Sequence, residues 1–183
     1  MKVEIRASEM SDSNDIFELR CRPELRDMQY SPSRFENPTT YLEMMNPDDD
    51  TPALGWKCAT IVVDGDFAGH ISQQFSIHVN GGHHCSLGWN IKPELWGKGI
   101  MVEALNALFS QRFAESATSK FTACCFESNS RNIRVLQKIG FKQIKPLVSE
   151  RVLNFFQTSG RHKLLKFGLT YDYWEHGERP NAG

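Results

Sequence analysis

Apolar and polar positions follow two rhythms along this chain, and the switches between them mark where strands give way to helices. Val3 to Arg6 alternates as a short first strand. Ser11 or Ser13 can cap a helix carrying Ile16, Phe17 and Leu19, with Pro23 just beyond it. Asn37-Pro38 reads as an N-cap followed by proline at the first helical position, opening a helix through Met45. Pro47 to Pro52 is a loop. Next come three strand-like runs, Lys57 to Val63, Phe67 to Val79 and Cys85 to Ile91, divided by Asp64-Gly65 and Asn80-Gly81-Gly82. Such turn chemistry between alternating runs predicts an antiparallel meander.

The rhythm then lengthens. Met101, Ala104, Leu105, Leu108 and Phe109 recur at helical spacing, with Glu103, Asn106 and Ser110 between them. Phe121 to Phe126 is a buried type of strand. Asn129 or Ser130 caps a second helix whose stripe is Ile133, Leu136 and Ile139, and Gly140 is a natural left-handed stop with Phe141 packing after it. Glu150 to Gln157, a turn at Thr158-Ser159-Gly160 and Lys163 to Tyr171 form a final hairpin. The order predicts an α/β (α+β) fold, with a mixed, mostly antiparallel central sheet and helices on both faces, as one domain over residues 1–183.

Composition narrows the class. Forty per cent apolar and 23% charged residues suit a globular chain with a real core. A net charge of −1 argues against a broad nucleic-acid surface. No apolar run is long enough to span a bilayer, and Met1 to Arg6 lacks the core of a signal peptide. The cysteines, at 21, 58, 85, 124 and 125, are odd in number and lack metal-site spacing. They read as free thiols in the cytoplasm, with no metal.

Trp96-Gly97-Lys98-Gly99-Ile100-Met101 sits between a strand and a helix start. The first N–H groups of a helix have no partner inside it, and the helix dipole adds partial positive charge there, so this geometry suits an anion. Glycine at 97 and 99 lets a phosphate approach the backbone. A plain turn before a helix fits the same residues. A P-loop does not, because Lys98 is followed by Gly99 rather than Ser or Thr.

A second segment, Asn129 to Phe141, follows about thirty residues later. Together the two resemble the GNAT superfamily of N-acetyltransferases, whose cofactor loop reads Gln/Arg-x-x-Gly-x-Gly/Ala and whose later helix begins at Asn and ends in Gly-Phe. Glu94 stands where Gln or Arg is usual. Trp-Gly-Lys-Gly followed by Glu103-Ala104-Leu105, and the tail from Ser159-Gly160 through Lys166 to Thr170 and Trp174, look most like the ribosomal-protein N-terminal acetyltransferase (Rim-type) branch. The specific part covers residues 85–141.

The resemblance implies that Ile91, Trp96, Gly97, Lys98, Gly99, Ile100, Met101 and Asn129 bind acetyl-CoA. It also implies that the strand ending at Ile91 splays from its neighbour to admit the pantetheine arm, and Pro93, lacking an N–H, would help end that strand. Lys98 reads equally as a solvated lysine, and Asn129 as an N-cap alone. Relatives often carry Glu in Glu-x-Gly-aromatic, where this chain has Ser86-Leu87-Gly88-Trp89. A water on Ser86, or His84 on the same face by alternation, is the candidate base, although His83-His84 also fits a polar hairpin flank. The family's frequent Tyr acid is Leu136 here; Glu127 is another candidate, and Tyr30, Tyr41 and Trp56 are candidates to line an acceptor cleft.

The expected activity is direct acetyl transfer from acetyl-CoA to a primary amine, preferably a protein N-terminal α-amine, of a ribosomal or another protein. The rivals are a small amine (polyamine, amino acid or aminoglycoside) and a degenerate acyl-CoA-binding module. Neither nucleic acid nor membrane is expected as a partner, and the chain is expected to be a monomer or a homodimer.

Overall fold

The computed structural model describes residues 1–26, 28, 37–45, 55–77, 83–114, 120–146 and 163–176. Its elements, in chain order, are β1 (Val3–Ala7), α1 (Ser13–Cys21), α2 (Pro23–Arg26), α3 (Pro38–Met45), β2 (Gly55–Val63), β3 (Asp66–Ile77), β4 (His83–Ile91), α4 (Ile100–Ala114), β5 (Lys120–Phe126), α5 (Ser130–Ile139), β6 (Lys142–Ile144), β7 (Leu164–Thr170) and α6 (Tyr171–His176). The strands form one seven-stranded sheet in the order β1-β2-β3-β4-β5-β7-β6. Among the described strands only β4 and β5 are parallel neighbours, and the other pairs are antiparallel.

The period-2 patterns decide which face each strand buries. Ile61, Ile71, Phe75, Cys85, Leu87, Phe121, Ala123, Cys125, Phe167 and Leu169 form the main core with Ile100, Ala104, Leu105, Leu108 and Phe109 of α4 and Leu136 and Ile139 of α5. The opposite face carries a smaller cluster of Ile16, Leu42 and Cys58 under α1 and α3, with Trp56 and Phe67 against it. Helices therefore cover both faces, as the pattern predicts. Cys124 and Cys125 divide between the faces, Cys125 in the core and Cys124 half-buried. None of the five cysteines forms a disulfide.

Local signals held where the chemistry was short-range. Asn37 Oδ1 accepts the Thr39 N–H at 3.0 Å, capping α3. Asn129 Oδ1 accepts the Asn132 N–H at 3.1 Å, capping α5. Gly140 has φ +100, and the Phe141 N–H returns to Leu136 O at 3.0 Å, closing that helix. The cap of α1 is neither Ser11 nor Ser13. Asp12 occupies the N-cap after a one-turn 3-10 helix, and its carboxylate accepts the Glu9 N–H at 2.9 Å and two bonds of 2.7 Å from Arg6.

The C-terminal part departs further from the pattern. The expected strand at 150–157 and its turn lie outside the described residues. The described outer partner of β7 is the three-residue β6. The strand expected over Lys163 to Tyr171 is present as β7, and the chain turns out of the sheet into a helix at Tyr171. The turn into α6 lets Tyr171 and Trp174 stack on Phe113, with centroids at 5.1 and 5.2 Å, which an extended tail would not.

Beneath α1, His70 is 1% exposed. Its Nε2 lies 3.2 Å from Asn90 Nδ2 and its Nδ1 3.8 Å from Cys58 Sγ, an arrangement that suits a neutral ring. Burial, helped by the charge of Arg20, pushes its pKa down to about 3. The unfolded chain, with a histidine near 6.5, therefore binds this proton first, and stability is lost as pH falls from about 6.5 toward 3. Urea titrations should show wild type losing about 1.4 kcal/mol more than His70→Gln between pH 7.5 and 5.5. Equal losses would mean that His70 is not buried neutral.

Candidate functional site

Two parallel strands part company near the middle of the sheet. β4 pairs with β5 only from His84↔Lys120 to Leu87↔Ala123. Beyond that, β4 continues beside β3 alone through Ile91, while β5 continues beside β7 alone through Phe126. A wedge-shaped gap opens between Gly88–Ile91 and Cys124–Phe126. Among the described residues, the backbone N–H and C=O groups of β4 that face it have no strand to pair with, and an extended ligand can take up such groups.

β4 is steered into this divergence by its other neighbour. A Cβ on Gly69 would collide with Asn90 O, so glycine lets β3 approach the end of β4 closely. Ser72 Oγ also donates to Gly88 O at 3.1 Å. The strand stops at Lys92, and Pro93 to Leu95 make one 3-10 turn.

The gap leads to the glycine turn. Gly97 and Gly99 have φ +78 and +81, a region that disfavours side chains. A Cβ built on either meets nothing within 4 Å, so the space over the turn is open and a side chain would fill it. The Glu103 N–H donates to Gly99 O at 3.1 Å, so the N–H groups of Ile100, Met101 and Val102 precede the helical ladder. α4 is 15 residues long, so its dipole is fully developed behind them. Lys98 is exposed beside the turn. Trp96 is held inward, its Nε1 donating to Ile91 O at 3.2 Å.

Glu94 does not face this space as an unpaired acid. Arg22, just past α1, clasps both its carboxylate oxygens at 2.9 and 3.0 Å. On the far side of the gap, Asn129 spends its side-chain oxygen on the α5 cap. Asn132 was missed by sequence reasoning. Its Oδ1 is buried with no hydrogen-bond partner, an acceptor that the amide N–H groups of a pantetheine arm can satisfy. The repeat Asn-x-x-Asn at a helix start was the only available signal. The open glycine turn, the unpaired strand edge and this orphaned acceptor all suit coenzyme A.

A row of polar side chains runs across the sheet on the α1/α3 face. His84 lies opposite Ser76 of β3 and Lys120 of β5, and Ser86 lies opposite Gln74 and Thr122. The His84 ring bridges the strands, with Nδ1 3.1 Å from Ser76 Oγ and Nε2 2.8 Å from Thr122 Oγ1. In either neutral tautomer one ring nitrogen accepts from a hydroxyl. Ser86, half-buried, stands next to the last paired residues of β4. The structure thus brings His84 and Ser86 together at the start of the gap and adds Thr122, which is 3% exposed and which alternation alone did not single out.

The other candidates fall elsewhere. Glu127 is exposed and paired with Lys163 at 2.8 Å. Leu136 is fully buried in the main core. Trp56 packs on the small cluster under α1 and α3. Tyr30 and the Tyr41 side chain lie outside the described residues. Among the described residues no three metal-ligating side chains cluster, and no helix is long and apolar enough to cross a membrane.

Comparison with known proteins bears on this arrangement. Residues 2–142 match the family model described as an acetyltransferase (GNAT) domain. A Bacillus subtilis (strain 168) protein named as a candidate ribosomal N-acetyltransferase is 29% identical over 150 residues, covering 79% of this chain and 78% of its own. Three solved structures share the fold at low identity. RimL, a ribosomal-protein alpha-N-protein acetyltransferase in complex with coenzyme A, aligns with TM-score 0.74 at 16% identity, over 94% of this chain and 96% of its own. A spermidine N-acetyltransferase chimera, from Vibrio cholerae and hSSAT, gives 0.76 at 16%, over 96% and 99%. An aminoglycoside acetyltransferase in complex with coenzyme A gives 0.71 at 15%, over 95% and 98%.

Proposed function

The chain belongs to the GNAT acetyltransferase family and is an acetyl-CoA-dependent N-acetyltransferase, and we propose that its acceptor is a protein N-terminal α-amine. The observation that carries this reading is the polar row at the start of the gap. It offers His84, Ser86, Thr122 and Ser76, and no carboxylate among the described residues of the row. An α-amine with pKa near 8 is about one-tenth neutral at pH 7, whereas a lysine near 10.4 is neutral only to about 0.04%. That difference is about 3 kcal/mol, which a weak base or a held water does not have to supply for an α-amine.

Bound acetyl-CoA supplies an activated thioester that the neutral amine attacks. The chain's own part is to hold and to deprotonate. We assign the turn amides from Gly97 to Met101, with Trp96 and Lys98, to the phosphates. Ile91, Asn129 and Asn132 border the pantetheine path. We assign to the gap-facing N–H groups of β4 beyond Leu87 the role of donating to the oxygen on which charge develops. The amine's proton passes to a water on Ser86 or, through Thr122, to His84. The Bacillus relative's name, that of a candidate ribosomal N-acetyltransferase, supports a ribosomal acceptor. Free thiols fit a cytoplasmic location.

A peptide with a free N-terminus should be acetylated with kcat/KM at least about 100-fold above its N-blocked, lysine-containing counterpart, the ratio that about 3 kcal/mol implies. Mass spectrometry of both, beside spermidine and an aminoglycoside, tests this. Equal rates on the two peptides remove the α-amine reading, and turnover confined to the small amines replaces it with one of them.

A further inference from the structure

The two segments that follow the diverging strands meet again at one contact. Beyond β4 comes the turn holding Trp96, and beyond β5 comes the first turn of α5 holding Arg131. The Arg131 guanidinium lies over the Trp96 ring, 4.3 Å from its centroid. Trp96 is itself pinned to the end of β4 through Ile91 O. This stack spans the outer mouth of the gap, immediately before Gly97. A chain lying in the gap with its phosphates on the glycine turn must pass it.

The charges around the mouth are sorted. Of its acids, Glu94 is clasped by Arg22 and Glu127 is paired with Lys163. Glu103 lies one turn up α4. Arg131 has no carboxylate partner among the described residues and is exposed on α5. Stacking uses the flat face of a guanidinium and leaves its N–H edges free for a phosphate, with the side chain already ordered.

Resting on the assignment of the glycine turn to the phosphates, we propose that Arg131 binds a phosphate of coenzyme A and so sets the enzyme's selectivity for the full cofactor over a phosphate-free pantetheine thioester. Trp96 is its positioning residue. Lys98 supplies charge at the same turn but lacks the stack that would fix it.

The test compares wild type with Arg131→Gln, which keeps a polar side chain on the first turn of α5, and with Arg131→Lys. Affinity for CoA and kinetics with acetyl-CoA, acetyl-3′-dephospho-CoA and S-acetyl-pantetheine are measured for each. Arg131→Gln should weaken CoA binding about 10- to 100-fold, as loss of a charge-assisted bond does, and raise KM with kcat nearly unchanged. Arg131→Lys should recover only part of it, and the salt dependence of binding should become shallower in both variants. If the deficit vanishes with the dephospho cofactor, the 3′-phosphate is the ligand; if it persists there and vanishes with the pantetheine thioester, the diphosphate is. Unchanged CoA affinity, or an equal deficit with the pantetheine thioester, overturns the proposal. Gly99→Val is measured alongside. Loss of CoA binding there with none in Arg131→Gln rejects Arg131 alone, whereas full CoA affinity in Gly99→Val rejects the turn assignment itself.

Discussion

Gly99→Val is expected to abolish measurable acetyl-CoA binding while leaving a folded chain. Two effects add. Gly99 sits at φ +81, where a β-branched residue is strained by about 1–3 kcal/mol. The larger effect is on the ligand. A Cβ at 99 enters open space and meets no protein atom within 4 Å, so its two methyl groups project into the volume over the turn. A phosphate is then held off the amides of residues 99–101. Losing two charge-assisted hydrogen bonds costs about 3 kcal/mol or more, which is about 100-fold or more in affinity.

The strain must be separated from the blockage. Gly65 has φ +96 and equally open surroundings, but it sits in the β2–β3 turn, away from the gap. Gly65→Val should therefore lower the melting temperature comparably and leave acetyl-CoA affinity within about twofold. Calorimetric titration of both variants, checked by thermal unfolding, reads the difference. A folded Gly99→Val that binds acetyl-CoA like wild type would sink the phosphate assignment. A Gly65→Val that loses affinity equally would reduce it to a stability effect.

What the sequence made legible depended on how far each signal reaches. The meander was readable because alternation and Asp64-Gly65 act within a few residues. The glycine turn and α5 were readable for the same reason, since Asn129, Gly140 and Phe141 write a helix's start and stop locally. The gap was not. Where β4 stops pairing with β5 depends on Leu87↔Ala123, a register between strands set by packing, and only the family resemblance anticipated it. β6, at three residues, is shorter than any period can reveal. The His84–Thr122 bond joins residues 38 apart, and the Arg131–Trp96 stack joins two turns that each look like ordinary surface. Glu94 shows the converse: its identity was plain, yet its role follows from Arg22, 72 residues away.

His84→Ala combined with Ser86→Ala should lower kcat/KM toward an α-amine peptide by about 10²–10⁴, the range for removing a positioned proton acceptor. In free energy that is about 3–5 kcal/mol of transition-state stabilisation. The geometry gives each single variant its own expectation. His84 is gripped by hydroxyls from β3 and β5, so His84→Ala removes a base and also cuts the link between Ser76 and Thr122. His84→Gln can keep one donor and one acceptor to those hydroxyls without basicity. If His84 is a proton acceptor, His84→Gln should be nearly as slow as His84→Ala. If it only braces the strands, His84→Gln should recover most of the rate. pH adds an independent check. Raising pH toward 9 deprotonates the amine in solution, so the deficit of the double variant should shrink as pH rises. A deficit constant across pH 6–9 points to a structural defect. Full kcat at every pH places proton removal elsewhere, on bulk water or on a group outside the row.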